Sequence, residues 1–136
     1  MKKNGFTLLE LLVVIGIIGI LVALATVSYS TTQEAGRDAR RKQDLVSMQN
    51  SLEQYYSAEG YKYPTGSCNM AADKYMKSSW PVDPQNTGLY VYSQLCSATD
   101  YCLCAKMERT SSGNAGNTSC DFASTPKNYY CVANLQ

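Results

Sequence analysis

Six cysteines are the residues of this sequence best able to do chemistry, and no histidine accompanies them. They are Cys68, Cys96, Cys102, Cys104, Cys120 and Cys131. Without histidine, the usual nucleophile–histidine pairs and histidine-based metal sites are excluded, and no Ser-Lys or paired-carboxylate arrangement is recognisable. A cysteine-only zinc site would need a C-x-x-C spacing that the sequence lacks. We therefore predict that the chain is not an enzyme and has no metal centre built on these thiols.

The placement of the cysteines indicates disulfide bonds. All six follow a hydrophobic segment and lie in the polar, tyrosine-rich part of the 136-residue chain. An even number of cysteines in a small polar domain behind such a segment is typical of an oxidising compartment. All six are disulfide candidates, and their spacing does not fix the pairing. Cys102 and Cys104 would be neighbours on one face of a strand, so we expect each to bond elsewhere.

The composition separates into two environments. The chain has room for one small domain, and 45% of its residues are hydrophobic. Residues 11–27 are almost all apolar and none is charged, whereas the remainder is polar. The formal net charge of +1 argues against a generally basic nucleic-acid binder, because affinity for phosphates rises with the number of Lys and Arg contacts.

The apolar segment is long enough to span a membrane. A helix from Phe6 to Val27 would be about 33 Å long at about 1.5 Å per residue, close to the roughly 30 Å hydrocarbon core. Lys2 and Lys3 precede it with no acid between, so the N-terminus is expected in the cytoplasm and the C-terminal domain outside. We predict a single-pass membrane protein with a cytoplasmic N-terminus.

Glu10 is out of place in this segment. A carboxylate in an otherwise apolar span costs on the order of 2.5 kcal/mol and usually has a specific partner. An ordinary signal peptide, cleaved near Ala23-Leu24-Ala25, has no use for such a residue. The simplest alternative is that Glu10 extends to the membrane–water interface.

The stretch from Lys2 to Ile15, KKNGFTLLELLVVI, resembles the class III signal of type IV prepilins and type II secretion pseudopilins. The resemblance implies that a prepilin peptidase cleaves after Gly5, removing a leader of residues 1–5, and that Phe6 is N-methylated. It also implies that Glu10 neutralises the new N-terminal amine of a neighbouring subunit during assembly. The implied partners are other copies of the chain, other pilins, the peptidase and an inner-membrane assembly platform.

The helix is expected to continue beyond the membrane. Charged residues from Glu34 to Asp44 offer pairs at helical spacing, which a solvated helix face explains, with subunit or lipid contacts as the alternative. An apolar stripe follows at 3.6-residue spacing, and Gly60 ends the helix near Glu59. The stripe consists of Leu45, Met48, Leu52 and Tyr55.

Three strand-like runs follow, at residues 89–93, 101–108 and 128–132. Alternation in the second places Leu103, Ala105 and Met107 on one face. We predict an α+β pilin fold. Its long N-terminal helix is transmembrane in the first half (6–33) and amphipathic in the second half (34–60). The head spans residues 34–136 and contains the amphipathic half, a small antiparallel sheet and disulfide-stapled loops.

The head also resembles G-type major pseudopilins and related pilins, in Tyr63-Pro-Thr65 and in Trp80-Pro-Val-Asp83-Pro84. The Trp-Gly that usually follows is replaced by Gln85-Asn86, so pilus and secretion pseudopilus both stay open. The resemblance implies a calcium ion in the loop of residues 111–121. Asp121 is the one carboxylate there, so it is the candidate ligand, and a flexible loop without metal is the favoured interpretation.

The resemblance to pilins further implies a Cys120–Cys131 bond that closes a C-terminal loop. The function that follows is a structural subunit that polymerises into a type IV pilus or a type II secretion-like pseudopilus, reaching an extracytoplasmic filament or the cell surface. The alternative is a minor, tip or DNA-uptake pilin that acts as a binding module through its tyrosines and lysines. The eleven tyrosines are spread along the chain, so packing explains most of them.

Overall fold

The structure, a computed structural model, describes residues 5–136, apart from the side chains of residues 27 and 28. Lys2 and Lys3, and all of the predicted leader except Gly5, lie outside the described residues. Two helices, one 3₁₀ turn and three strands follow in order. They are α1 (Leu8–Ala58), the 3₁₀ turn (Cys68–Ala71), α2 (Ala72–Tyr75), β1 (Ser93–Cys96), β2 (Tyr101–Lys106) and β3 (Tyr129–Ala133). The predicted α+β fold with one long N-terminal helix and a small antiparallel sheet is confirmed.

The chain divides into two compact units, with the boundary between Glu34 and Ala35. In the first unit the helix carries its apolar side chains exposed, from Leu8 at 87% to Leu24 at 68%. This part of α1 is long and apolar enough to cross a membrane.

The second unit has its own hydrophobic core. The helical stripe residues Leu45, Met48 and Leu52 are fully buried. They share one cluster with Leu103 and Ala105 of β2 and with Met107, which directly follows that strand, so the face predicted from the alternation is buried. Burial of this stripe stabilises the second half of α1 by tertiary packing.

A glycine ends α1. The helix stops at Ala58, one residue before the predicted Glu59, and Gly60 has a φ of +75°. The Tyr61 amide donates to the Tyr56 carbonyl at 2.9 Å, which is the closing bond of a Schellman motif. Glycine adopts this left-handed conformation without the steric penalty that a Cβ brings.

The sheet has the order β1-β2-β3, with both pairs antiparallel. The second and third strands lie where the sequence predicts them. The first prediction, residues 89–93, is wrong, because the strand begins only at Ser93 and Tyr90 lies in a turn with Thr87. The tyrosines that suggest a strand at 89–93 turn instead toward α1: the Tyr90 ring lies 4.8 Å from the Arg41 guanidinium, and the Tyr92 hydroxyl donates to Asp44 at 2.7 Å.

Candidate functional site

The predicted cleavage site precedes the helix. Gly5 and Phe6 are non-helical and exposed, and the Phe6 side chain is 80% accessible. No atom lies within 4 Å of where a Cβ on Gly5 would stand. The described backbone therefore leaves the Gly5–Phe6 bond open to an approaching protein.

Glu10 caps the start of α1. Its Oε2 accepts hydrogen bonds from the Thr7 amide at 2.9 Å and from the Thr7 hydroxyl at 2.8 Å. The Glu10 amide in turn donates to Thr7 Oγ1 at 3.2 Å. This reciprocal pattern is a capping box, and it satisfies two amide donors that a helix start leaves without partners. Sequence reasoning missed it, although T-x-x-E before an apolar run is its signature.

In the second unit, a buried arginine joins α1 to two loops. Arg41 is fully buried and makes a two-pronged contact with Asp83, at 2.7 Å from Nε to Oδ2 and 3.0 Å from Nη2 to Oδ1. Its Nη1 reaches Asp38 Oδ1 at 2.9 Å and Glu108 Oε1 at 2.6 Å. Burial opposes the charge on Arg41, but the bonds to Asp83 and Glu108 outweigh it and raise its pKa above the usual value.

Glu108 and Asp38 complete this cluster. Arg37 binds Glu108 through two nitrogens, at 2.7 and 2.5 Å. The hydrogen bonds from Arg37, with those from Arg41, outweigh desolvation and lower the pKa of Glu108 to about 2. Asp38 accepts the backbone amides of Glu108 at 2.9 Å and of Arg109 at 3.2 Å. Among the residues that the structure describes, no buried side-chain nitrogen or oxygen lacks a hydrogen-bond partner.

The prediction of a solvated, ion-paired helix face is therefore wrong for Asp38 and Arg41. Asp38 pairs with Arg41 as the helical spacing suggests, but both side chains are buried. Lys42 donates to the Ser112 carbonyl at 2.9 Å and lies 5.3 Å from the Tyr130 ring. These charges hold the loops of the head to α1. Their partners outside the helix lie more than 40 residues away in the sequence, so helical spacing could not predict them.

Further along α1, the carboxylate of Glu53 accepts hydrogen bonds from two tyrosine hydroxyls. It accepts the Tyr101 hydroxyl at 2.7 Å and the Tyr63 hydroxyl at 3.1 Å. The Leu135 amide also donates to Glu53, at 3.2 Å, which ties the C-terminal segment to the helix. Burial and then the bond to Glu53 raise the pKa of Tyr63 and of Tyr101.

All six cysteines are paired in the structure. The bonds are Cys68–Cys96, Cys102–Cys120 and Cys104–Cys131. The Cys120–Cys131 bond that the resemblance to pilins implied is contradicted: Cys104 and Cys131 face each other across β2 and β3, so Cys131 bonds within the sheet. Cys102 and Cys104 each bond elsewhere, as the spacing predicts.

The donor set around Asp121 does not fit calcium. Its Oδ1 accepts the backbone amides of Ala123 at 3.0 Å and Ser124 at 3.2 Å. Hydrogen bonds from the Ser124 side chain and from these two amides lower the pKa of Asp121. The carboxylate thus stabilises the turn that Asp121 begins, whereas a calcium site needs six or more oxygens. Within residues 5–136, the one cluster of potential metal ligands consists of Cys102, Cys104 and Cys120, whose sulfurs are already bonded in disulfides.

The loop before β3 is held by other means. The Asn114 side chain accepts the Cys131 amide at 2.7 Å and donates to the Cys131 carbonyl at 2.9 Å, taking the place of a neighbouring strand. A Cβ on Gly113 would lie 2.0 Å from the Tyr129 carbonyl oxygen, so only glycine fits there.

Comparison with known proteins adds independent evidence. The model of the prokaryotic N-terminal methylation motif matches residues 1–26. Type II secretion system core protein G of Escherichia coli strain K12 is 38% identical over 64 residues, covering 47% of this chain and 43% of the relative. The protein of the same name from Dickeya chrysanthemi is 31% identical over 85 residues, covering 62% of this chain and 54% of the relative.

A third relative, type II secretion system core protein G of Aeromonas hydrophila, is 36% identical over 64 residues, or 47% of this chain and 44% of the relative. The chain thus spans about half the length of the curated relatives it matches. No solved structure matches it significantly. The chain is thus similar to type II secretion system core protein G over about half of its length, and it carries the prokaryotic N-terminal methylation motif at its start.

Proposed function

We propose that the chain is a filament subunit that polymerises into a type IV pilus or a type II secretion-like pseudopilus. The observation that carries this proposal is the contrast along α1. From Leu8 to Leu24 the apolar side chains are exposed, whereas Leu45, Met48 and Leu52 are buried in a folded head. An exposed apolar helix needs a lipid or protein environment. The membrane supplies lipid before assembly, and packed helices in a filament core supply protein contacts after it.

Processing prepares the helix for this transfer. In our proposal a prepilin peptidase removes the leader of residues 1–5 and Phe6 becomes the methylated N-terminus. The new α-amine is charged near neutral pH and lies a few residues from Glu10. Glu10 of one subunit then neutralises the amine of the next subunit, which sets the axial register while the head, on the extracytoplasmic side, stays in water.

The relatives named type II secretion system core protein G support a pseudopilus within this proposal. Other pilins, an inner-membrane assembly platform and further copies of the chain are the proposed partners. Before assembly the chain is a single-pass protein of the cytoplasmic membrane with its N-terminus in the cytoplasm.

Electron microscopy of cells that express the chain with a prepilin peptidase and an inner-membrane assembly platform tests the proposal. The wild-type chain should form filaments, and Gly5→Leu should leave an uncleaved membrane protein that forms none. Leu95→Ala, an exposed change in the head, is the control and should still be cleaved and assembled. Filaments formed by the uncleaved Gly5→Leu chain would contradict the proposed processing, and a cleaved wild-type chain that never assembles would contradict the proposed function.

A further inference from the structure

Two disulfides of the head lie in contact with each other. Cys102 Sγ is 3.6 Å from Cys104 Sγ, although Cys102 is bonded to Cys120 and Cys104 to Cys131. The sulfurs of Cys102, Cys104 and Cys120 all lie within 4.8 Å of one another. Four half-cystines thus share one site between β2, β3 and the loop that precedes β3.

The two bonds differ in accessibility. Cys104 and Cys131 are each 1% exposed, whereas Cys102 and Cys120 are partly exposed. Cys102 and Cys120 also line an open groove of about 490 Å³, with Leu95, Tyr101 and Phe122 among its other walls. A thiol from solution can therefore approach the first bond and is kept from the second.

We propose that Cys102–Cys120 is a reactive site for small thiols and that exchange through Cys102 couples it to the buried Cys104–Cys131 bond. A thiolate attacks Cys120 Sγ, the Cys102–Cys120 bond breaks, and its electron pair leaves on Cys102 as a thiolate. Cys120 then carries a mixed disulfide with the incoming thiol.

The released thiolate is placed to continue the exchange. Cys102 attacks Cys104 Sγ, 3.6 Å away, and the Cys104–Cys131 bond breaks to leave a thiolate on Cys131. Cys131 attacks Cys120 Sγ and expels the original thiol, which is regenerated. The products are Cys102–Cys104 and Cys120–Cys131, and no net oxidation or reduction occurs. The loop before β3 is then tied to β3 instead of β2.

The test treats the full-length wild-type chain in detergent with reduced glutathione, then quenches with acid and alkylates free thiols. Trypsin cuts after Arg109 and Lys127, so Cys120 and Cys131 fall in separate peptides, 110–127 and 128–136. We expect alkylation at Cys131 when Cys120 carries glutathione, and a direct bond between the two peptides that the untreated protein lacks.

The remaining disulfide is the internal control. Cys68 is 1% exposed, but Cys96 is partly exposed and lines the same groove, so a thiol can open Cys68–Cys96 directly and leave label on Cys68 without label on Cys131. Label on Cys131 that appears only together with label on Cys68, and without a bond between peptides 110–127 and 128–136, would indicate general unfolding and overturn the proposal. So would glutathione on Cys120 with label confined to Cys102 and an intact Cys104–Cys131 bond, or no reaction at Cys102–Cys120.

A pair of double variants gives an independent readout. Cys104→Ala with Cys131→Ala removes the acceptor bond, so the Cys102 thiol should persist and its alkylation should increase over wild type. Cys68→Ala with Cys96→Ala should leave the appearance of the Cys120–Cys131 bond unchanged. Equal Cys102 alkylation in the wild type and in the acceptor-free variant would contradict the coupling.

Discussion

At the scale of single residues, Glu10 has a local role that is distinct from the proposed pairing between subunits. Its carboxylate accepts two hydrogen bonds from Thr7 of the same chain. An amide in place of the carboxylate keeps the acceptor oxygen but has no charge, so the capping role and the charge-pairing role can be separated.

Glu10→Gln should therefore preserve the start of α1 and lose filament assembly, because glutamine caps the helix but cannot neutralise an ammonium group. Circular dichroism in micelles measures the helix, and electron microscopy measures assembly. The matched variant is Thr7→Val, which removes the capping hydroxyl and keeps the charge, and it should still assemble. Normal filaments from Glu10→Gln would show that the charge of Glu10 is not needed.

Arg41 is the residue whose loss should cost the head most. Arg41→Met removes a fully buried cation and leaves Asp38 and Asp83 without the guanidinium that both of them bind. We expect a loss of about 3–5 kcal/mol in the free energy of unfolding, measured with denaturant on the full chain in detergent. The control is Arg40→Met, whose side chain is 66% exposed and 3.9 Å from Asp44, and which should change stability by less than about 1 kcal/mol. Similar losses in both variants would contradict the central position of Arg41.

The lowered pKa of Glu108 predicts how the head responds to acid. Because the pKa falls from 4.5 in the unfolded chain to about 2 in the head, the folded state binds fewer protons, and this stabilisation is complete above pH 4.5. It should be lost as the pH falls from 4.5 to about 2. Thermal unfolding over this range should show a declining midpoint, and Glu108→Gln should make the decline shallower. An unchanged slope in Glu108→Gln would refute the assignment.

At the scale of elements, the periodic features were predictable and the contact-dependent ones were not. The 3.6-residue stripe of α1 and the alternation in β2 each report a local pattern, and both are confirmed in the core. The first strand begins at Ser93, later than the high β-propensity of Leu89-Tyr-Val-Tyr predicts. Tyr90 and Tyr92 instead contact Arg41 and Asp44, and those tertiary contacts outweigh the propensity.

The same reasoning applies to the site. The Thr7–Glu10 cap was readable from the sequence, since it depends on residues three apart. The Cys104–Cys131 bond was not, because it depends on the register between β2 and β3. The likeness to other pilins suggested a different partner for Cys131, and the cross-strand register decided against it.

Substitution by alanine should change the free energy of unfolding in opposite directions at Gly36, inside α1, and at Gly60, just after its end. A Cβ would meet nothing within 4 Å at either Gly36 or Gly60, but only Gly60 has a positive φ, +75°. Gly60→Ala should destabilise the head by about 1–2 kcal/mol, whereas Gly36→Ala, inside the helix, should stabilise it by about 0.5–1 kcal/mol. Denaturant unfolding of both variants tests this, and a shift of the same sign in both would contradict the helix end described above.

At the scale of the whole molecule, covalent ties connect the parts of the head. Three disulfides connect its loops and strands, and the Asp121 turn is occupied by its own amides. Small domains gain about 2–5 kcal/mol from each native disulfide, which compensates for a thin core.

Calcium and a chelator should therefore leave the thermal midpoint of the head unchanged, while a strong dithiol reductant should lower it. Calorimetry of the full chain in detergent, with each addition made separately, measures both effects. Asp121→Asn is a suitable control, since it retains the oxygen that accepts the two amides. A midpoint that rises with calcium in the wild type and not in Asp121→Asn would establish a metal site after all.

The buried position of Arg41 also has a consequence in time. Its acidic partners Asp83 and Glu108 follow it by 42 and 67 residues, so a chain made from its N-terminus exposes Arg41 and the stripe beside it long before those partners exist. The head can reach its native state only after Glu108 has been made. A chain that stops before Glu108 would retain the apolar anchor and present an unpaired arginine and bare leucines, a species that cellular proteases are expected to remove.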